Sequence, residues 1–127
     1  MDGQRAVLLA WDPITQTERW RAPAGGARFG GTVTTAGNLV FQVVPDGRLI
    51  AYNAESGKKL LEISVETKTG LGPPITYQID GRQYVAFMGG TGPVPPSAGR
   101  GAVPPAGGAS TTAPPSPKLF TFALDTK

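Results

Sequence analysis

Short apolar runs rich in strand formers alternate with tight polar joints along most of this chain. Ala6 to Trp11 is the first run, and Asp12-Pro13 closes it with turn chemistry. Thr17 to Ala22 follows, ended by Pro23 and the Gly25-Gly26 pair. Four runs then come in regular succession: Thr32 to Ala36, Leu39 to Val44, Arg48 to Asn53 and Lys58 to Val65. Their joints, Gly37-Asn38, Pro45-Asp46-Gly47 and Glu55-Ser56-Gly57, carry residues that tolerate positive φ or bond their own backbone. After Gly70-Leu71-Gly72-Pro73, the runs Pro74 to Ile79 and Gln83 to Met88 flank Asp80-Gly81, and Lys118 to Leu124 supplies a last strand. No stretch has a helical period, and Pro and Gly at this density break helices. The pattern predicts strands grouped as two, then four, then three.

Within that rhythm a motif repeats. Ala10-Trp11-Asp12, then Thr15, then Trp20, is echoed 41 residues later by Ala51-Tyr52-Asn53, then Ser56-Gly57, then Leu61. Ala123-Leu124-Asp125 is a third, shorter echo. Self-similarity at about 40–45 residues marks propeller blades, each a four-stranded antiparallel sheet. The predicted fold is therefore all-β, a partial β-propeller of about two blades. Its strand count predicts a chain that enters one blade midway and stops one strand short of completing another. Incomplete blades leave open strand edges, which invite self-association.

Composition divides the chain further. Residues 89–117 are dominated by Pro, Gly, Ala, Ser and Thr, as in Gly92-Pro93-Val94-Pro95-Pro96 and Ala113-Pro114-Pro115-Ser116-Pro117. Such a stretch offers too few large apolar side chains to offset ordering entropy, and reads as a disordered or PPII-like loop. The predicted organisation is blade repeats over 1–88, this loop over 89–117, and a closing C-terminal strand over 118–127. The net charge of +3 comes from scattered Lys and Arg with no basic run, so no nucleic-acid partner is expected. Cys and His are both absent, which excludes disulfides, Cys/His zinc sites, thiol nucleophiles and a Ser-His-Asp arrangement within the chain. The N-terminus, Met1-Asp2-Gly3-Gln4-Arg5, has no signal-type apolar h-region and no run approaches membrane-spanning length, so neither a signal peptide nor a membrane span is expected.

Candidate chemistry is sparse. Trp20 lies beyond a turn, where an indole can lie flat on the neighbouring sheet and lock blade to blade. A cofactor-stacking role is disfavoured, because the same position recurs as Leu61. Asp46 and Asp80 precede Gly in hairpin turns, a backbone use of Asp. Glu18, Glu55, Glu62 and Glu66 read as solvated, and no carboxylate pair stands out for acid/base work or calcium. Gly30-Gly31-Thr32 and Gly70-Leu71-Gly72 each precede the first strand of a blade, the strand that lines a propeller's channel. Glycine there lets a backbone approach a flat ligand, or simply lets the chain enter a crowded centre.

Several of these segments resemble those of quinoprotein alcohol dehydrogenases. Ala10-x-Asp12-x-x-Thr15 with Trp20 resembles that family's tryptophan-docking motif, and Thr35-Ala36-Gly37-Asn38-Leu39-Val40-Phe41-Gln42 its TAGxLVFxG strand pair. Asp46 through Tyr52 with Ser56-Gly57-Lys58 is similar to its DGxLxAYxAxTGKxLW blade. Pro74-Ile75-Thr76-Tyr77 with Asp80 through Ala86, and Leu119 through Asp125, are similar to its C-terminal segments. The resemblance implies the C-terminal quarter of an eight-bladed propeller that uses pyrroloquinoline quinone and calcium to oxidise alcohols in the periplasm. It implies that the catalytic Asp, the calcium ligands, a vicinal Cys pair and a stacking Trp lie in other blades. Backbone at Leu71 and Gly72 is what it places near the quinone, with the remaining blades as partner. Gln16 departs from the family's Gly, Leu61 from its second docking Trp, and Val43 from a Gly. A non-enzymatic propeller scaffold or protein-binding module is the alternative reading.

Overall fold

A computed structural model describes residues 6–24, 30–67, 71–90 and 116–124. Their strands are β1 (Val7–Asp12), β2 (Thr17–Pro23), β3 (Gly31–Thr34), β4 (Leu39–Val44), β5 (Arg48–Asn53), β6 (Lys59–Ser64), β7 (Ile75–Ile79), β8 (Arg82–Gly89) and β9 (Lys118–Leu124). They form three antiparallel meanders, β1-β2, β3-β4-β5-β6 and β7-β8-β9. The predicted grouping of two, four and three is borne out. Most of the Pro-rich stretch, Asp125 and the Gly25-Gly26 pair lie outside the described residues.

Small boundary shifts have local causes. β3 stops at Thr34 rather than Ala36, because the Thr35 carbonyl accepts the Asn38 N–H at 3.2 Å and starts the turn early. Asn38 adopts φ 62°, and Asp80-Gly81 takes φ 50° and 78°, as two-residue hairpin turns require. β8 continues to Gly89, which pairs with Lys118, so the strand runs one residue into the stretch that composition assigns to the loop.

The repeat extends to backbone irregularities. β1 and β2 slip register between Ala10 and Trp11, and β5 and β6 slip between Ala51 and Tyr52. Both bulges follow the Ala of the repeated motif. A bulge bends its strand and sharpens the twist, and here it falls at the same place in both copies of the motif.

The sheets stack as three layers. On one face of the middle sheet, Phe41, Val43, Leu49 and Ala51 pack with Leu71, Val85 and Phe87, and Phe120, Phe122 and Leu124 join from β9. On its other face, Val40, Val44, Ile50 and Tyr52 pack with Trp20 and Ala22, flanked by Leu8 and Ala10. Side chains alternate between faces along a strand. β4 is nonetheless buried from Val40 to Val44, because the middle sheet is covered on both sides.

Candidate functional site

The contact between the first two sheets centres on Trp20. The β1–β2 turn delivers it: Asp12 Oδ1 accepts the N–H of Ile14 at 2.9 Å and of Thr15 at 3.3 Å. These bonds hold the Asp12 carboxyl below its ordinary range. Trp20 is 9% exposed, and its ring lies 6.0 Å from that of Tyr52 with 30° between the planes. Its indole N–H donates to the Ala54 carbonyl at 2.8 Å. Below the ring sits Gly57, at φ 69°, where a Cβ would stand 2.7 Å from the indole. Trp20 is thus a lock between blades, and Tyr52, Ala54 and Gly57 are its seat. Sequence reasoning finds the lock but not the seat. The signal lies in the second copy of the repeat, whose turn is the surface on which the first copy docks.

That seat is itself built like the turn before Trp20. Asn53 Oδ1 accepts the N–H groups of Glu55 and Ser56 at 3.0 and 2.9 Å, and the Ser56 hydroxyl at 2.9 Å. Leu61, the counterpart of Trp20, is 43% exposed.

The loops leading into β3 and β7 lie side by side. Gly30 N–H donates to the Leu71 carbonyl at 3.3 Å, and a Cβ on Gly31 would stand 2.6 Å from Pro73. Leu71 turns its side chain into the core beside Val85 and Phe87. Gly72 N–H donates to the Met88 carbonyl at 2.7 Å. Yet a Cβ on Gly72 would meet nothing nearer than 3.6 Å, and its φ is ordinary. Nothing within the described fold requires glycine there, in contrast to Gly31, Gly57 and Gly89.

Beside these loops an open cavity of about 210 Å³ lies between β1 and the β3–β4 hairpin, lined by Leu8, Gly31, Thr32 and Gln42 among others. Gln42 is the buried polar residue of the interface, and its Oε1 accepts the Tyr52 hydroxyl at 3.3 Å. Burial pushes the Tyr52 hydroxyl's pKa up.

Several charged groups pair along the strands. Arg48 holds Asp46 at 2.7 Å and Glu62 at 3.1 Å, and Lys59 reaches Glu62 at 2.8 Å. Asp46, expected in a backbone role, thus also carries a side-chain ion pair. Glu62, expected to be solvated, is held below the ordinary carboxylate range by Lys59 and then Arg48. Glu18 pairs with Arg21 on the exposed face of β2. Among the described residues no three His, Cys, Asp or Glu side chains converge to hold a metal ion. No helix among them is long and apolar enough to cross a membrane.

Antiparallel four-stranded repeats, stacked face to face and locked by an indole on a glycine turn, define propeller blades. The family model of the glucose/ethanol/alcohol dehydrogenase β-propeller domain (PQQ) matches residues 7–85, and the chain belongs to that family. It is 51% identical over 88 residues to a quinohemoprotein alcohol dehydrogenase of Comamonas testosteroni, covering 68% of this chain and 12% of that protein. It is 40% identical over 122 residues to quinohemoprotein alcohol dehydrogenase ADH IIB of Pseudomonas putida, covering 95% of this chain and 17% of the relative. Among solved structures it is similar to quinohemoprotein alcohol dehydrogenase ADHIIG from Pseudomonas putida HK5. The TM-score is 0.57 at 47% identity, over 65% of this chain and 12% of the other. The resemblance read from the motifs is borne out, and the chain spans only 12–17% of the length of these relatives.

Proposed function

We propose that this chain is the C-terminal blade portion of a pyrroloquinoline-quinone-dependent alcohol dehydrogenase and is inactive by itself. The observation that carries this reading is the family match over residues 7–85 in a chain that spans so little of its relatives. In a complete enzyme a bound quinone would supply the two-electron acceptor chemistry for oxidation of a primary alcohol. The described residues do not fit a calcium site, which would have to be built by other blades.

This chain's share is packing and channel wall. Leu71 anchors the loop before β7 in the core, and Gly72 presents uncrowded main chain beside it. A glycine without an internal reason supports close approach by a flat group such as the quinone. Further blades are the partner, supplying strands beside β1 and β9. Without them, those edges stand open. The periplasm is the proposed location.

Two measurements test this reading. Titration of the chain with pyrroloquinoline quinone and calcium is expected to give no submicromolar binding and no quinone absorbance change; either would overturn it. Co-expression with the remaining blades of the Comamonas relative is expected to produce dye-linked oxidation of a primary alcohol. In that complex, Gly72→Val weakens quinone loading about tenfold while the chain's own fold is kept. Persistent lack of activity in a folded complex would favour the scaffold reading.

A further inference from the structure

Alternation along the strands leaves one bare apolar face at each end of the stack. On the first sheet, Val7, Leu9 and Trp11 point away from the middle sheet, 48%, 44% and 54% exposed. On the third sheet, cross-strand partners share a face, and the pairs Tyr77–Tyr84, Ile75–Ala86 and Met88–Leu119 lie on the face away from the middle sheet, where Ala86 is covered and the Arg82 guanidinium lies 6.0 Å from the Tyr84 ring. The two tyrosine rings stack at 5.3 Å, and Ile75, Met88 and Leu119 are each more than half exposed. Contiguous exposed apolar faces of this kind mark interaction sites.

The repeat tells which face fits which. Aligning Ala10, Ala51 and Ala123 makes Leu9 and Trp11 the counterparts of Ile50 and Tyr52, and also of Phe122 and Leu124. Through the pairings Gln42–Ile50 and Val85–Phe122, it makes Tyr84 and Ala86 the counterparts of Phe41 and Val43. Inside the molecule, the Phe41/Val43 face of the middle sheet meets the Phe122/Leu124 face of the third. The two bare faces are therefore the separated halves of an interface that the chain already forms internally.

We propose that this chain, on its own, associates head to tail. The outer face of the third sheet in one copy docks on the outer face of the first sheet in the next, continuing the internal stack across copies. This rests on the reading that the propeller is incomplete within the chain. The junction is heterologous, so it propagates until the rotation closes a ring or runs on as a filament. It needs no indole lock, because the third sheet as described presents no counterpart of Trp20. That agrees with Gln16, rather than glycine, at the counterpart of Gly57 on the receiving face. Arg21, opposite Leu9 on that face, is neutralised by Glu18 and presents no unpaired charge to the incoming sheet.

Size-exclusion chromatography with light scattering on the full chain decides it. The native chain is expected to grow with concentration beyond the 13.2 kDa of one copy. Leu9→Lys and Met88→Lys each place a charge on one exposed face, so both fold, as circular dichroism would verify. Each alone is expected to be monomeric, because one half of the junction is spoiled. Mixed in equal amounts they are expected to form a dimer that stops at two copies, since one good half remains on each. A monomeric native chain at about 100 µM would overturn the proposal. So would a single variant that still self-associates, through open edges or like faces, or a mixture that stays monomeric. The quinone titration is independent of these outcomes, so failure of the assembly and failure of the dehydrogenase reading are told apart.

Discussion

The two copies of the motif form the same turn from different residues and do different work. Both bulge after Ala, at Ala10 and Ala51, and both cap the turn with a side-chain oxygen, Asp12 in one and Asn53 in the other. At the turn's last position both chains enter positive φ, Gln16 at 54° and Gly57 at 69°. The second turn carries an indole on its bare backbone; the first turns a side chain to the outside. One motif thus yields either a lock's seat or a plain turn, depending on a single Cβ.

Removing the lock has the largest expected effect. Trp20→Ala empties a buried site and orphans the Ala54 carbonyl, at a cost of about 3–5 kcal/mol in urea unfolding. Leu61→Ala, at the matching but exposed position, costs less than about 1 kcal/mol. Equal losses would mean that Leu61 also docks. Next, Gly57→Ala puts a methyl into the indole and strains the backbone, costing about 2–3 kcal/mol. Gln16→Gly relieves the same backbone strain where nothing stacks, and raises stability by about 0.5–1 kcal/mol. If both substitutions destabilise, the turns are not equivalent.

The smallest effect is acid sensitivity. Asp12's folded pKa lies below its ordinary value, chiefly because the Ile14 and Thr15 N–H groups bond the carboxylate. A depressed carboxyl pKa contributes stability above the unfolded pKa, and this is lost as pH falls through the folded one. Below about pH 4 the amide resonances of Ile14 and Thr15 are therefore expected to move. The Ser56 N–H, bonded to the non-titrating Asn53 side chain, loses no such carboxylate bond. Asp12→Asn abolishes the difference.

Much of this was legible in one dimension. Every strand announced itself, because each run is short, rich in strand formers and bounded by residues with a specific turn chemistry. Trp20 stood out as a packing device because its position recurs. The seat did not stand out: Tyr52, Ala54 and Gly57 look like ordinary strand-end and turn residues until an indole from 34 positions away lands on them. The Arg48–Glu62 pair escaped because it crosses from β5 to β6, and single residues read as solvated have no visible partner. Gln42 escaped because alternation reveals two faces but not whether both are covered.

Local chemistry along the chain determined the strands, the hairpins and the 41-residue beat, because turn propensity and side-chain alternation act over a few residues. What only the tertiary structure decided is which faces meet. The middle sheet is buried on both sides, and Gly57 matters because an indole rests on it. Gly72 stands apart because nothing within the described fold requires it. Burial and close approach depend on groups distant in sequence, so they have no signature until the sheets stack.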